Sequence, residues 1–198
     1  LGALTADEQD NDLFVVLAVD DEDVAVDAQR TSLRALVAAG EAALRADDAA
    51  AALNSFDQVL ESLEGDLQQT SAEHDRQLAC SRILSRRAAA LVQLDQRRQA
   101  FRDLTRARRL SQEADDLAGS GHALLAMSEI LEQSEQYAPA DDLAREALTA
   151  ARRLGDPLRL TICLTQHGRL AASMQQWDSV EEVTAELCAH SHQLEAAR

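Results

Sequence analysis

A cysteine and two histidines near the C-terminus are the residues of this sequence whose types best suit a metal ion. Imidazole and thiolate are ligands that zinc accepts, and Cys188, His190 and His192 lie close together in the chain. On a helix, however, Cys188 and His192 would share a face while His190 would point elsewhere. No second pair of ligands stands nearby in the sequence. We therefore expect polar residues at the end of a terminal helix, with neither a metal site nor a cofactor.

The sequence has no pattern that predicts catalysis. An enzyme site would need a nucleophile beside a base, a phosphate-binding loop, or paired carboxylates in an apolar pocket. The run Gly119-Ser120-Gly121, which we expect between two helices, lacks the strand and the lysine of a phosphate-binding loop. The acidic run 20–23 lacks the ligand order and the glycine of a calcium-binding loop. The sequence thus predicts a protein that is not an enzyme.

Charge is distributed unevenly along the chain. The formal net charge is -16, which argues against nucleic acid or an anionic membrane as partner, since both need a positive face. Residues 1–30 hold nine acids against Arg30, whereas residues 76–109 hold ten arginines against Asp95 and Asp103. We name these ten arginines the basic band. We expect it to attract the acidic segment, either within one chain or across a homodimer.

Composition favours packed helices. The chain has 198 residues, of which 46% are hydrophobic and 3% aromatic, so Leu, Ala and Val must form the core. Seven Gly and two Pro are too few for the turns of a sandwich or a doubly wound sheet. No run approaches the roughly 18 apolar residues of a membrane helix. Three cysteines suit buried thiols in a reducing, cytoplasmic compartment, and the exclusive use of Arg over Lys indicates a bacterial source. We expect a piece of a longer protein, without a visible signal peptide.

A repeat of about 40 residues organises the sequence. Apolar or small residues recur at spacings of three and four, the period of a helix with one buried face, and the set reappears after shifts of 48, 40 and 40 residues. The first aligned residues of the four copies are Leu36, Leu84, Leu124 and Leu164. Each copy predicts two helices, with a break at Asp47, Asp95, Glu135 or Gln175. The predicted helices are 5–19, 22–46, 49–63, 72–94, 97–113, 116–134, 138–154, 157–174 and 177–196.

Residues typical of helix ends mark the borders between copies. Ser71, Asp115 and Asp156 are N-cap types, and Pro157 suits the first position of a helix. Gly155 is expected to end the preceding helix. These residues predict where one hairpin stops and the next begins.

The four copies resemble the tetratricopeptide repeat, a helical hairpin with a characteristic pattern of small and aromatic residues. Gly40 with Ala52, Phe56 and Val59 fits best, and Gly168 with Trp177 and Val180 comes next. The resemblance covers about residues 33–195. It implies an all-α, right-handed superhelix of about four hairpins, an α-solenoid, because one hairpin cannot bury its own apolar face. The repeats would be 33–70, 72–113, 115–154 and 156–196, in one domain of residues 22–198 that follows an acidic segment of residues 1–21.

The resemblance also implies a protein-interaction, scaffold or regulatory module, with a concave groove lined by the first helices. The groove is predicted one helical step away from the buried positions, where Val37 and a set of polar residues lie. The polar candidates are Arg34, Glu41, Arg45, Arg82, Ser85, Arg86, Gln93, His122, Glu129, Gln133, Gln166 and Arg169. Arg82 and Arg86, together with Arg45 or Arg169, would suit an acidic protein or peptide, because guanidinium groups match carboxylate oxygens.

Two alternatives stay open at this point. The polar groove residues could simply be solvated; if they instead bind a ligand, charge reversal at Arg82 and Arg86 should abolish binding and leave the melting temperature nearly unchanged. The chain could also be the sensory domain of a larger bacterial signalling enzyme or transcription regulator, whose effector domain lies outside it.

Overall fold

A computed structural model of the chain describes residues 24–65 and 73–196, in which eight helices and no strand are found. The helices are α1 (Val24–Arg45), α2 (Ala49–Gly65), α3 (Glu73–Gln93), α4 (Arg97–Glu113), α5 (Leu117–Gln133), α6 (Tyr137–Leu154), α7 (Pro157–Ser173) and α8 (Trp177–Ala196). The predicted all-α helical-repeat fold class is confirmed, and each of these helices lies within about two residues of its predicted bounds. The helix predicted at 5–19 and the predicted cap Ser71 lie outside the described residues.

The chain divides into two compact units, Leu1–Asp116 and Leu117–Arg198. Unit 1 holds the hairpins α1–α2 and α3–α4, and unit 2 holds the hairpins α5–α6 and α7–α8. In each unit, every helix packs on the next one along the chain, and the two first helices, α1 with α3 or α5 with α7, also touch each other. The expected single domain over residues 22–198 stays a prediction. Of the helices that the structure describes, none is long and apolar enough to cross a membrane.

Each hairpin turns on one residue in the left-handed backbone conformation. The four residues predicted as breaks, Asp47, Asp95, Glu135 and Gln175, have φ angles of 59° or 60°, so this prediction is confirmed. The following residue serves both helices, as Gln136 shows: its N–H donates to the Leu131 carbonyl (2.9 Å), and its carbonyl accepts from the Ala140 N–H (3.1 Å). The turn therefore satisfies backbone groups at both helix ends without glycine.

The border between the hairpins of unit 2 follows the sequence prediction. Gly155 ends α6 with φ 67°, and the Asp156 carboxylate accepts hydrogen bonds from the backbone N–H groups of Leu158 (2.9 Å) and Arg159 (3.1 Å). The N-cap role predicted for Asp115 was wrong. Asp115 has φ 51° and takes the left-handed turn position, which aspartate tolerates better than most residues. Asp116 directly precedes α5.

Small residues let the helices of unit 1 approach closely. Gly40 of α1 faces the fully buried ring of Phe56 on α2, beside the fully buried Ala52. Ala100 and Ala107 of α4 are also fully buried. They leave room for the large residues of α3, among them the buried side chains of Ile83, Leu84 and Leu91. Close helix contact through Gly and Ala is thus the basis of this core.

The core of unit 2 draws on all four of its helices. Its main cluster contains Leu124, Ala147, Leu148, Ala151, Cys163, Leu164 and Val183. A second cluster joins Ala140 and Ala144 of α6 to Leu170 of α7, and Tyr137 packs against it. Because residues of α5, α6, α7 and α8 share one cluster, the two hairpins of this unit hold each other in place.

Candidate functional site

The residues considered for metal and phosphate binding lie apart in the structure. Cys188 is exposed on α8, while the side chains of His190 and His192 are not among those that the structure describes. Among the described residues there is no group of three or more His, Cys, Asp or Glu side chains suited to a metal ion. Gly119-Ser120-Gly121 lies within α5, so the expectation that it connects two helices was wrong. Ser120 is buried there, and a methyl group on Gly121 would contact Ala150 of α6.

The first helices of unit 1 present a polar face with an ion pair across it. The Nε atom of Arg86 on α3 lies 2.5 Å from Oε1 of Glu41 on α1. Both side chains are largely buried, with 18% and 14% of their surface exposed. The structure therefore brings together two of the predicted groove residues. It also shows that Arg86 is not a simply solvated side chain, as the alternative of a solvated groove assumes.

The other predicted residues of unit 1 surround this pair on α1 and α3. Arg34 and Arg82 are half-buried, and Arg45 and Gln93 are exposed at the C-terminal ends of their helices. The Ser85 hydroxyl donates to the Ser81 carbonyl (3.0 Å), one turn back on its own helix. Val37, expected on the groove side, is buried instead, so this expectation was wrong. Its side chain belongs to the packed side of α1.

The face of unit 2 is organised by Glu132 of α5. Arg169 of α7 donates to both of its carboxylate oxygens, from Nε (2.9 Å) and Nη2 (2.6 Å). Gln166, also on α7, donates from Nε2 to Glu132 Oε2 (3.0 Å) and to the Ser128 hydroxyl (3.3 Å). The Gln166 side-chain carbonyl accepts from Arg169 (2.5 Å). Gln166 is 3% exposed, so its role in the structure is to fix Glu132 and Arg169 in place rather than to meet solvent.

Glu129 lies one turn before this network on the same helix. Its side chain reaches the surface, yet partial burial by its surroundings raises the pKa of the carboxyl above its ordinary value. Arg169 opposes this effect and Glu132 adds to it. Two more predicted residues flank the site on α5, the half-buried His122 and the exposed Gln133. The face of unit 2 thus places the Glu132–Arg169 ion pair close to Glu129, a carboxylate in a less polar environment.

Most arginines of the basic band have acidic partners within unit 1. Arg87 of α3 binds Asp57 of α2 (2.6 Å) and Asp103 of α4 (2.8 Å), and it joins three helices. Other pairs are Arg86 with Glu41, Arg106 with Glu64, Arg76 with Glu73, Arg97 with Asp95 and Arg109 with Glu113. The acidic segment of residues 1–21 lies outside the described residues. Its expected pairing with the band stays a prediction.

A buried contact in unit 2 was not predicted from the sequence. His167 Nδ1 of α7 lies 2.5 Å from Oδ1 of Asp141 on α6, and Arg145 binds Oδ2 of the same carboxylate (2.8 Å). The side chain of Asp141 is 5% exposed. The available signal was an acid at the position that holds Leu53 and Phe101 in the first two copies, 26 residues before a histidine on the next helix. This contact locks α7 onto α6.

The hairpins, their left-handed turns and the paired first helices define a TPR-like helical-repeat fold. Among solved structures, the chain is similar to the Rap conjugation gene regulator of the plasmid pLS20, in its complex with the Phr* peptide. The two are 16% identical with a TM-score of 0.65, and the match covers 96% of this chain and 54% of that chain. This chain thus spans about half the length of the similar structure. No protein-family model matches the chain, and no curated protein matches it.

Proposed function

We propose that the chain is a non-catalytic binding module, which holds a peptide or protein segment on its first-helix faces and acts in regulation or as a scaffold. The main observation in support of this proposal is that ion pairs between neighbouring first helices fix polar side chains in place on each unit. The pairs are Glu41 with Arg86 and Glu132 with Arg169. Fixed polar groups bind with a smaller entropic cost than mobile ones. Support also comes from the similar structure, which is a gene regulator in complex with a peptide.

The face of unit 1 favours an acidic ligand. Four of its predicted groove residues are arginines, Arg34, Arg45, Arg82 and Arg86, whereas Glu41 is the sole carboxylate among them. The proposed contacts of the ligand are centred on Arg45, which is exposed at the end of α1, and on Arg82, one turn before Arg86 on α3. Guanidinium groups bind carboxylates with two parallel hydrogen bonds, which favours an Asp, a Glu or a C-terminus in the ligand. We propose that the partner is such an acidic protein or peptide and that the binding takes place in a bacterial cytoplasm.

The test uses a fluorescent library of random hexapeptides and their binding by fluorescence polarisation at 0.15 M salt. We expect the best binders of the parent chain to be rich in Asp and Glu. The double variant Arg45→Glu/Arg82→Glu should weaken their binding by at least about tenfold. The matched control is Arg98→Glu/Arg102→Glu, which makes the same charge change at two exposed positions of α4. Equal losses in both variants would reduce the effect to net charge, and no loss in the first would exclude this face.

A second proposal makes this binding module the sensory part of a larger signalling enzyme or transcription regulator. The likeness to a conjugation gene regulator, of which the chain spans about half, favours it. The coding sequence around the segment tests it directly. An effector domain in the same reading frame supports this proposal, whereas stop codons on both sides contradict it.

A further inference from the structure

The last helix of unit 2 exposes a face that its counterpart buries. Helices α6 and α8 are the second helices of consecutive hairpins, and they begin 40 residues apart. Tyr137, Asp141, Ala144 and Leu148 of α6 correspond in this register to Trp177, Glu181, Thr184 and Cys188 of α8. The four residues of α6 are buried or half-buried, whereas those of α8 are all exposed. We name the four residues of α8 the α8 stripe.

Helix α7 shows what covers such a face. Leu170 belongs to the buried cluster against which Tyr137 packs, and His167 meets Asp141 at 2.5 Å. Cys163, one turn before His167, shares a buried cluster with Leu148. These three residues of α7 recur at spacings of four and three, so they lie on one side of the helix. The covering element is therefore an amphipathic helix with a polar hydrogen-bonding group three residues before an aliphatic one.

The chemistry of the α8 stripe indicates the charge of its occupant. Trp177 is 62% exposed, more than the other exposed large hydrophobic residues among those described. Glu181 lies one turn further, and no basic residue stands between 177 and 189. An indole face and a carboxylate both attract a cation. The net charge of -16 disfavours a second copy of this chain as the occupant of the stripe.

We propose that the α8 stripe docks a basic amphipathic helix of a partner protein. An aliphatic side chain of that helix packs on Trp177, as Leu170 packs in the cluster beside Tyr137. A cationic side chain three residues earlier binds Glu181, as His167 binds Asp141. This surface is separate from the first-helix faces, so the partner and a groove ligand would occupy different helices.

The probe is a synthetic peptide of residues 156–174 of this chain, with Cys163→Leu to prevent oxidation and His167→Arg to carry a permanent charge. It contains no aromatic residue, and Trp177 is the one tryptophan of the chain, so tryptophan emission reports on the stripe itself. Titration of the full 198-residue chain with this peptide at 0.15 M salt should shift the Trp177 emission to the blue and should saturate. Burial of the indole causes this shift.

Two charge variants separate the stripe from general electrostatics. Glu181→Arg should weaken peptide binding by at least about tenfold, because it replaces an attraction by a repulsion. Glu182→Arg is the matched control, because its counterpart Asp142 remains exposed on α6 beside α7. It should change the affinity less than about twofold. A peptide that carries Glu at the position of His167 should bind the Glu181→Arg variant better than the probe peptide, which carries Arg at that position, does.

Four results would overturn the proposal. The first is the absence of a blue shift up to about 1 mM peptide. The second is an equal loss of peptide affinity in the two charge variants, and the third is peptide binding that Glu181→Arg does not change. The third of these would mean that the peptide replaces the chain's own α7. The fourth is a blue shift of the chain alone that grows with its concentration, with a dimer mass by sedimentation, which would identify a second copy as the occupant.

Discussion

A methyl group on Gly40 would stand 2.6 Å from Cε1 and 2.8 Å from Cζ of Phe56. Because Phe56 is fully buried, its ring has no space into which to move. The contact between α1 and α2 in unit 1 therefore depends on the missing side chain at position 40. This close approach is the physical reason for a glycine at the place where the repeat pattern has one.

Gly40→Ala should destabilise the chain. Alanine favours a helix over glycine by roughly 0.5–1 kcal/mol, but the overlap with Phe56 costs more, and we expect a net loss of about 1–3 kcal/mol in the free energy of unfolding. Urea denaturation followed by circular dichroism measures it. Phe56→Leu in the Gly40→Ala background should recover part of the loss. The control is Gly121→Ala, whose new methyl would meet only Ala150 Cβ at 3.3 Å. A Gly40→Ala chain as stable as the parent would contradict the packing.

Glu135→Gly should stabilise unit 2. Glu135 has φ 59° in the turn between α5 and α6, and a non-glycine residue in this conformation costs roughly 1–2 kcal/mol. Because glycine loses more backbone entropy on folding than glutamate does, part of this strain relief is offset. We expect a net gain of about 0.5–1 kcal/mol in the free energy of unfolding. Thermal unfolding measures it. Asp47→Gly should gain less, because aspartate tolerates this conformation better, and a loss of stability in Glu135→Gly would show that its side chain has a compensating role.

Ala100→Phe tests the repeat alignment. Ala100 is fully buried at the start of α4, at the position that corresponds to Ala52 and Ala140 in the other hairpins. A benzyl group there should overpack the core of unit 1 and cost on the order of 1–3 kcal/mol. Gln99→Phe, at the exposed neighbouring position, should change the free energy of unfolding by less than about 0.5 kcal/mol. Similar melting of Ala100→Phe and the parent would place Ala100 outside the core.

Sequence periodicity predicted the helices and their turns because the information is local. Asp47, Asp95, Glu135 and Gln175 interrupt the apolar period within one turn of the last buried residue, so the break is visible without knowledge of any partner helix. The wrong assignment of Asp115 has the same origin. Aspartate suits both an N-cap and a left-handed turn, and the two positions are adjacent residues at this border, Asp116 and Asp115.

Contacts between helices could not be predicted, because they depend on lateral register. Glu41 and Arg86 are 45 residues apart, and Glu132 and Arg169 are 37 apart, so no common spacing reveals these pairs. Gln166 was predicted at a groove position by helical period, yet its hydrogen bonds to Ser128 and Glu132 place it below the surface. The exposure of Trp177 follows from its place on the last helix rather than from its residue type.

The three cysteines should differ in reactivity. Cys80 and Cys163 are buried and Cys188 is exposed. Burial raises the pKa of the Cys80 thiol, and it raises that of Cys163 to about 11, so at pH 8 only about one Cys163 in a thousand is a thiolate. Titration with a disulfide reagent at pH 8 should show one fast thiol in the native chain and three in urea. Cys188→Ser should abolish the fast phase, and a fast phase that persists would contradict the burial of the other two.

Removal of Arg87 should destabilise unit 1 in a pH-dependent way. Its guanidinium binds Asp103 (2.8 Å), whose side chain is 12% exposed, and Asp57 (2.6 Å). Arg87→Met leaves the buried Asp103 carboxylate without its partner, which should cost about 3 kcal/mol at pH 7.5. The exposed pair Arg97–Asp95 provides the control, since Arg97→Met should cost less than about 1 kcal/mol.

The direction of the pH effect follows from Asp103. Burial already raises the pKa of this carboxyl above its ordinary value, against the effect of Arg87, so loss of Arg87 raises it further. An acid whose pKa is higher in the folded than in the unfolded chain loses stability as pH rises from the unfolded value to the folded one. The deficit of Arg87→Met relative to the parent should therefore be smaller at pH 5 than at pH 7.5, and Asp103→Asn in the same background should remove the difference. A deficit that stays constant between these two pH values would show that the loss comes from packing of the arginine stem rather than from the buried charge.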